Sequence, residues 1–321
     1  MRFSERTNWN PEESALARAH RLRVQAGLPL ADLTASNPTR CGFAYPPTLL
    51  QGLTDPAALD YDPQPKGSLS ARQAVCAYYA GHGVSLDPGQ ILLTTSTSEA
   101  YSFLFHLLGD PGDEILIAQP GYPLFDFLAT LCDVRLKAVP LVYDQGWQID
   151  AEAIRRAISP QTRAIVIVHP NNPTGHFTKP WEAEELARLC REFSLALIVD
   201  EVFLDYALDS GIHQQALSFA AGLEGVPVFV VSGLSKIAGL PQMKAAWIVV
   251  SPVASGPEQD MSLARLEIVA DTFLSMNAPV ECALPAWLRD STDMQGQIRA
   301  RVAANLAALD RQLARAPAVR R

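Results

Sequence analysis

Lys236 is the residue in this chain best placed to do covalent chemistry. It sits in VSGLSKIAGLP, residues 231–241, directly after a run with the character of a buried strand, and the whole chain has only five lysines. A lysine that forms a Schiff base must be partly desolvated and rigidly held, so that its amine can be neutral near pH 7. A small-residue loop leaving a core strand provides that setting. The plain alternative for any single lysine is a solvated surface charge. Four other places carry chemistry-bearing residues, each with a plain alternative of its own. Asp200 follows the apolar run LALIV, where a carboxylate either binds a protonated heteroaromatic nitrogen or serves a turn. Asn172, in HPNNPTG, is a turn residue or a side-chain donor to a phenolate oxygen. Ser96 and Ser98, in TTSTSEA, lie where a strand passes into a helix, a place suited to a phosphate; the alternative for Ser98 is a plain N-cap with Glu99 in the first turn. Tyr122, in PGYP, stacks on a flat ring or fills the core.

The elements that must position these residues can be read from periodicity. Short β-branched runs at 91–95, 114–118, 164–169, 195–200, 226–232 and 245–250 have the pattern of strands buried on both faces. Helical patterns fall at 98–108 and at 181–193, the latter with Trp181, Leu186, Leu189 and Phe193 at helical spacing. Turn signals stand at GDPGD, PGYP and NNPTG. Strands alternating with helices predict an α/β fold, a mostly parallel sheet flanked by helices. Ligands bind such sheets outside the carboxyl ends of the strands, and Ser96, Tyr122, Asn172, Asp200, Ser235 and Lys236 all fall there. A last amphipathic helix is expected over 297–316, with Ile298, Val302, Leu306, Leu309 and Leu313 on one face, before the closing PAVRR.

Composition narrows the class. The 321 residues are 48% apolar and 19% charged, with net charge −8; the pI is about 5.3 and the mean hydropathy +0.06. This is an ordinary soluble enzyme composition. No basic run is present to follow a phosphate backbone, so nucleic acid is not expected as a partner. Five scattered cysteines with no CxxC spacing argue for a reducing compartment, hence the cytoplasm, and against zinc or a disulfide framework. No signal peptide and no membrane-spanning run are visible. The six histidines have no ligand spacing, and no GxGxxG, Walker loop, GxSxG or HExxH is present; GHG at 81–83 stands alone. Nicotinamide, nucleotide and metal chemistry therefore lack support.

The order and spacing of the segments are more specific than any one of them. YDPQPKG from Tyr61, TSTSEA from Thr95, PGYP from Pro120, NNPTG from Asn171, DEVF from Asp200 and SGLSKIAGLP from Ser232 together resemble the fold-type I pyridoxal-phosphate enzymes, and among them the class I/II aminotransferases. The likeness covers roughly residues 30–316. It implies pyridoxal 5′-phosphate as cofactor, with Lys236 as its Schiff-base lysine and later the proton shuttle. By the same resemblance Asp200 pairs with the pyridine nitrogen, Asn172 donates to O3′, and Tyr122 stacks on the ring. Ser96, Thr97, Ser98 and Ser235 hold the phosphate. Tyr61 matches a tyrosine that reaches the neighbouring subunit's phosphate, which implies a homodimer. The expected domains are a large coenzyme-binding domain over 45–255 and a smaller one from 1–44 plus 256–321.

Four departures qualify the resemblance. Phe203 stands where most relatives have a tyrosine bonded to O3′, from which a raised aldimine pKa is expected. Lys244 replaces an arginine that grips the phosphate, keeping charge but losing the bidentate fork. Gly233 stands where a small hydroxyl residue is common, with Ser232 one place earlier. Relatives continue past the final helix into strands carrying the arginine that clamps the substrate carboxylate, so the second domain is expected to be C-terminally incomplete and the final helix to leave apolar surface exposed. Asn37 and Arg40, in SNPTRC, are candidate substrate contacts in its place. The leading expectation is amino transfer from an α-amino acid to a 2-oxo acid. A β-lyase or decarboxylase, and a coenzyme-binding protein without turnover, are the alternatives. The residues leave the substrate side chain open.

Overall fold

The structure is a computed structural model that describes the chain apart from residues 33, 209–217, 252–256, 275, 317 and 319–321. The closing PAVRR lies, Ala318 apart, outside the described residues, as does the domain boundary expected at 255–256. The chain forms two compact units, Met1–Phe43 and Ala44–Arg321. The first unit holds helix α1 (Ala15–Gln25), whose N-cap Ser14 accepts from Ala17 N, and none of its described residues is buried.

The second unit is built on eight strands: β1 (Ile91–Thr94), β2 (Glu114–Gln119), β3 (Arg135–Tyr143), β4 (Trp147–Ile149), β5 (Thr162–Val168), β6 (Ala196–Asp200), β7 (Val228–Gly233) and β8 (Ala246–Val250). Their order across the sheet is β1-β8-β7-β6-β5-β2-β3-β4. Strands β3, β2, β5, β6 and β7 are mutually parallel, while β8 is antiparallel to both β7 and β1. It follows that β1 runs with β7, and that β1, β2, β5, β6 and β7 all end at one edge. The six strand patterns expected from the sequence are present within a residue or two at each end. Strands β3 and β4 are additions; Pro140 inside β3 broke its pattern.

Alternation along the strands sorts their side chains onto two faces. On one face Leu197, Val199, Val228, Val230 and Trp247 pack under α2 (Leu69–Gly81), α6 (Pro180–Phe193) and α9 (Ala278–Arg289). On the other, Ile198, Phe229, Val231 and Ile248 pack under α3 (Thr97–Leu108), α4 (Phe125–Leu131) and α8 (Pro257–Phe273). Two short helices are α5 (Ala151–Ala157) and α7 (Leu234–Ile237). Helices on both faces of a mostly parallel sheet are the α/β arrangement the sequence predicts.

Three expectations need correction. In α6, Leu186 and Leu189 are buried, but Trp181 and Phe193 are exposed, covered instead by Lys179 and Arg155. The last helix, α10 (Ser291–Leu313), starts six residues before the expected 297, because Met294 and Gln295 are part of its buried turn. The cap of α3 is Ser96 rather than Ser98. The exposed apolar face expected of α10 is seen at Val302 and Leu309. Among the described residues no helix is long and apolar enough to cross a membrane.

Candidate active site

The loops leaving β1, β2, β5, β6 and β7 lie along one edge of the sheet, and they carry the residues singled out by type. At the end of β1 the chain turns into α3 with Ser96 as N-cap, its hydroxyl accepting from Glu99 N at 3.2 Å. Glu99 reaches back and accepts from Thr95 N at 2.6 Å and Thr95 Oγ1 at 3.0 Å. This reciprocal cap leaves Thr97 and Ser98 in the first turn, where backbone N–H groups and the helix dipole favour an anion.

Asp200 closes β6. As the fourth residue after Ala196 it shares a face with Ala196 and Ile198, toward α3. It is buried, with two donors to its carboxylate: Val202 N to Oδ1 at 3.0 Å, and the Tyr101 hydroxyl to Oδ2 at 3.0 Å. Burial pushes its carboxyl up to about 6, against the opposing pull of those two bonds and of the Lys236 charge. Tyr101 is buried too, and its phenol is held well above its ordinary range by burial and by Asp200.

Lys236 lies one strand over, in the short helix α7 after β7. Its Nζ stands 5.5 Å from the centre of the Phe203 ring and makes no ion pair among the described residues. The Tyr206 hydroxyl donates to Lys236 O at 2.5 Å and ties the turn after β6 to the lysine segment. Asp205 anchors that turn from behind, accepting from the Tyr78 hydroxyl at 3.0 Å and pairing with His82 Nε2 at 3.2 Å. Gly233, at the end of β7, is required by packing: a Cβ there would sit 2.8 Å from Ala246 Cβ and 2.9 Å from Ala245 O. Ser232 is no substitute for a hydroxyl at that place. It is buried on the opposite face from Asp200, in register with Trp247, with its Oγ unpartnered.

The remaining candidates are more open. Tyr122 follows β2, is 39% exposed, and meets Phe125 edge-on at 5.8 Å. Burial and the nearby Asp200 raise its phenol. In the loop after β5 the structural work falls to Asn171, whose Nδ2 donates to Thr174 Oγ1 at 2.8 Å and to Pro120 O at 3.3 Å. Asn172 is half-buried and takes no part in that network. Ser235 is half-buried beside Lys236. Lys244 is exposed, two residues before β8, at the edge where β7 ends. Tyr61 is 83% exposed. Asn37 and Arg40 belong to the first unit, where Asn37 caps the turn Pro38–Arg40 by accepting from Thr39 N at 3.0 Å; their role toward a substrate rests on the sequence alone. Tyr101, Tyr206, Asp205 and His82 escaped the sequence reading. The one available signal was a tyrosine inside an otherwise apolar helix, which needs a partner when buried.

This geometry can be set beside known proteins. Residues 58–318 match the family described as aminotransferase class I and II. A probable N-succinyldiaminopimelate aminotransferase of Mycobacterium tuberculosis is 32% identical over 210 residues, 63% of this chain and 52% of the relative. The glutamate-pyruvate aminotransferase of Escherichia coli K12 is 29% identical over 276 residues, 84% of this chain and 65% of the relative. The chain thus spans 52–65% of the length of these curated relatives. The solved structure of an alanine aminotransferase from Pyrococcus furiosus shares the fold, with TM-score 0.80 at 24% identity over 93% of this chain and 75% of that one.

Proposed function

The chain belongs to the class I and II aminotransferase family, and we propose that it is a pyridoxal-phosphate-dependent aminotransferase, moving an amino group from an α-amino acid to a 2-oxo acid. The observation that carries this reading is the placement at one sheet edge of a buried carboxylate, Asp200, and an amine with no ion pair among the described residues, Lys236. The donor set suits the coenzyme. Ser96, Thr97 and Ser98 offer hydroxyls at the first turn of α3 for a phosphate, and Ser235 offers one beside Lys236. Asp200 keeps acceptor capacity for a pyridinium N–H after its two bonds. The Asn172 side-chain amide has no hydrogen-bond partner among the described residues and can serve the ring oxygen, and Tyr122 is 39% exposed and can stack. Lys244 supplies a cation without a fork.

When bound, the coenzyme supplies an aldehyde and an electron-withdrawing ring, which the protein tunes rather than creates. Lys236 Nζ would hold the coenzyme through its aldehyde carbon, and as a free amine would carry the proton from the substrate Cα to that carbon. Asp200 holds a proton at the ring nitrogen. Its burial favours a partner of opposite charge over an unpaired carboxylate. Tyr122 excludes water from one face of the ring. Phe203 offers an aromatic face to the lysine where a hydroxyl would offer a hydrogen bond.

Tyr61 is exposed as a side chain reaching a neighbouring subunit must be, which supports a homodimer. Five free cysteines suit a reducing compartment, the cytoplasm. The names of the matched relatives suggest glutamate with pyruvate, and N-succinyldiaminopimelate, as the first donors and acceptors to try. The test is amino transfer from ¹⁵N-labelled donors to 2-oxo acids in the presence of pyridoxal phosphate. Labelled product that disappears in Lys236→Ala supports the function; turnover to ammonia or carbon dioxide without labelled product contradicts it.

A further inference from the structure

We propose that Tyr101 is a positioning residue for Asp200, its hydroxyl fixing the orientation of the carboxylate and favouring the ionised form that a pyridinium N–H requires. The inference rests on the function proposed above, but its core, the coupling of the two side chains, can be read without it.

Tyr101 is 2% exposed. Its ring is wedged edge-on against Phe125 at 4.8 Å and lies 5.9 Å from Phe105. A phenylalanine would fill that space equally well, so packing alone gives no reason for the oxygen. The oxygen has one partner, Asp200 Oδ2 at 3.0 Å. The other donor to the carboxylate, Val202 N on Oδ1, comes from Asp200's own turn. Among the described residues Tyr101 is therefore the only side chain hydrogen-bonded to the Asp200 carboxylate, and the only hydrogen-bond donor to that carboxylate from another element.

The position of Tyr101 on α3 gives the contact its use. It lies four residues after Thr97 and three after Ser98, on the same face of the helix. One rigid helix thus presents the hydroxyl cluster at its N-terminus and, one turn later, the phenol that grips the carboxylate. The helix sets the spacing between an anion held at its end and an N–H donor held by Asp200, a constraint that suits a ligand carrying both.

Protonation follows the same geometry. Among the described residues the titratable groups around Asp200 include Tyr101 on α3, Tyr122 after β2, Tyr79 on α2, His169 at the end of β5, Glu201 next in the chain and Lys236 after β7. Burial raises the Asp200 carboxyl, while the Tyr101 and Val202 bonds and the Lys236 charge lower it. Tyr101's own phenol is held well above its ordinary range and stays a donor. Removing the hydroxyl leaves burial less opposed, so the carboxyl must titrate at higher pH.

Tyr101→Phe removes one oxygen and keeps the packing. In the coenzyme-free chain, ¹³C NMR of labelled aspartate, with Asp200→Asn for assignment, is expected to show the Asp200 midpoint rise by about one pH unit in Tyr101→Phe. Should that variant not fold, 3-fluorotyrosine at 101 retains the ring, donates more strongly, and is expected to lower the midpoint. The affinity for pyridoxal phosphate should weaken about tenfold in Tyr101→Phe, and by less than about twofold when the same change is made in Asp200→Asn. A midpoint that stays put overturns the proposal. So does equal weakening in both backgrounds, which would mark Tyr101 as core filling. A moved midpoint in a chain that takes up no pyridoxal phosphate upholds the coupling of the two side chains and overturns the proposed function instead.

Discussion

Asp200 and Glu201 are adjacent, both buried, and both pushed up by desolvation, yet they do different work. Glu201 faces a loop that it ties down: Ser218 Oγ donates to it at 2.7 Å and Phe219 N at 2.6 Å. Both donors come from that one short turn, and a satisfied buried acceptor of this kind is a structural anchor. Asp200 faces α3 and the lysine segment, and its partners leave acceptor capacity open. Burial and a raised carboxyl alone would select both residues. What separates them is the side of the strand end, set by a single step in sequence, and whether Lys236, which has no ion pair among the described residues, lies on that side.

That contrast can be broken by substitution. Lys236→Ala should remove amino transfer altogether and leave the unfolding midpoint in denaturant close to that of the unmodified chain. Asp200→Asn should cut amino transfer by about 10²–10³-fold through the lost charge at the ring nitrogen, without the loss of stability expected of Glu201→Ala. Glu201→Ala should do the reverse. It strands the Ser218 hydroxyl and the Phe219 N–H, at a cost of about 2 kcal/mol in urea unfolding, with activity per folded molecule within about twofold. An active-site loss in Glu201→Ala at full stability would erase the distinction.

The pH dependence of stability sharpens it. Burial raises the Asp200 carboxyl to about 6 and that of Glu201 to about 7, both above their unfolded values. The folded chain then binds these protons more tightly than the unfolded chain. The stability they contribute is complete below about pH 4 and is lost as pH rises through about 6 and then 7. Without coenzyme, Asp200→Asn should flatten the lower part of that fall and Glu201→Gln the upper part, as read from urea midpoints across pH 4–8. With pyridoxal phosphate bound, the Asp200 part should shrink, because the carboxylate gains a cationic partner. The smallest effect is expected at Phe203→Tyr. Its added hydroxyl near the coenzyme oxygen should lower the pH at which the visible absorption changes, by about one unit or less; an unchanged transition would contradict that placement.

Much of this site was legible in the sequence because strand ends are. The runs before Asp200 and Lys236 are apolar and β-branched, so the first polar residue after each marks the edge of the sheet, where α/β folds bind ligands. What stayed hidden depends on which way a helix or strand faces. Tyr101 looks like one more apolar position in α3 until β6 is laid beside it. Ser96 and Ser98 are both plausible caps until Glu99 is seen reaching back to Thr95. Helix α9 was hidden by Pro285, which the helix tolerates in its third turn. Gly233 looked like a lost hydroxyl, and only the close approach of β8 shows why no side chain fits.

The most direct test of the account is covalent. The purified chain is mixed with pyridoxal phosphate, reduced with borohydride, digested, and its labelled peptide identified by mass spectrometry. The account predicts one stoichiometric label on Lys236, lost in Lys236→Ala and weakened in Asp200→Asn. A label spread over Lys66, Lys137, Lys179 and Lys244, or one that persists in Lys236→Ala, would contradict it.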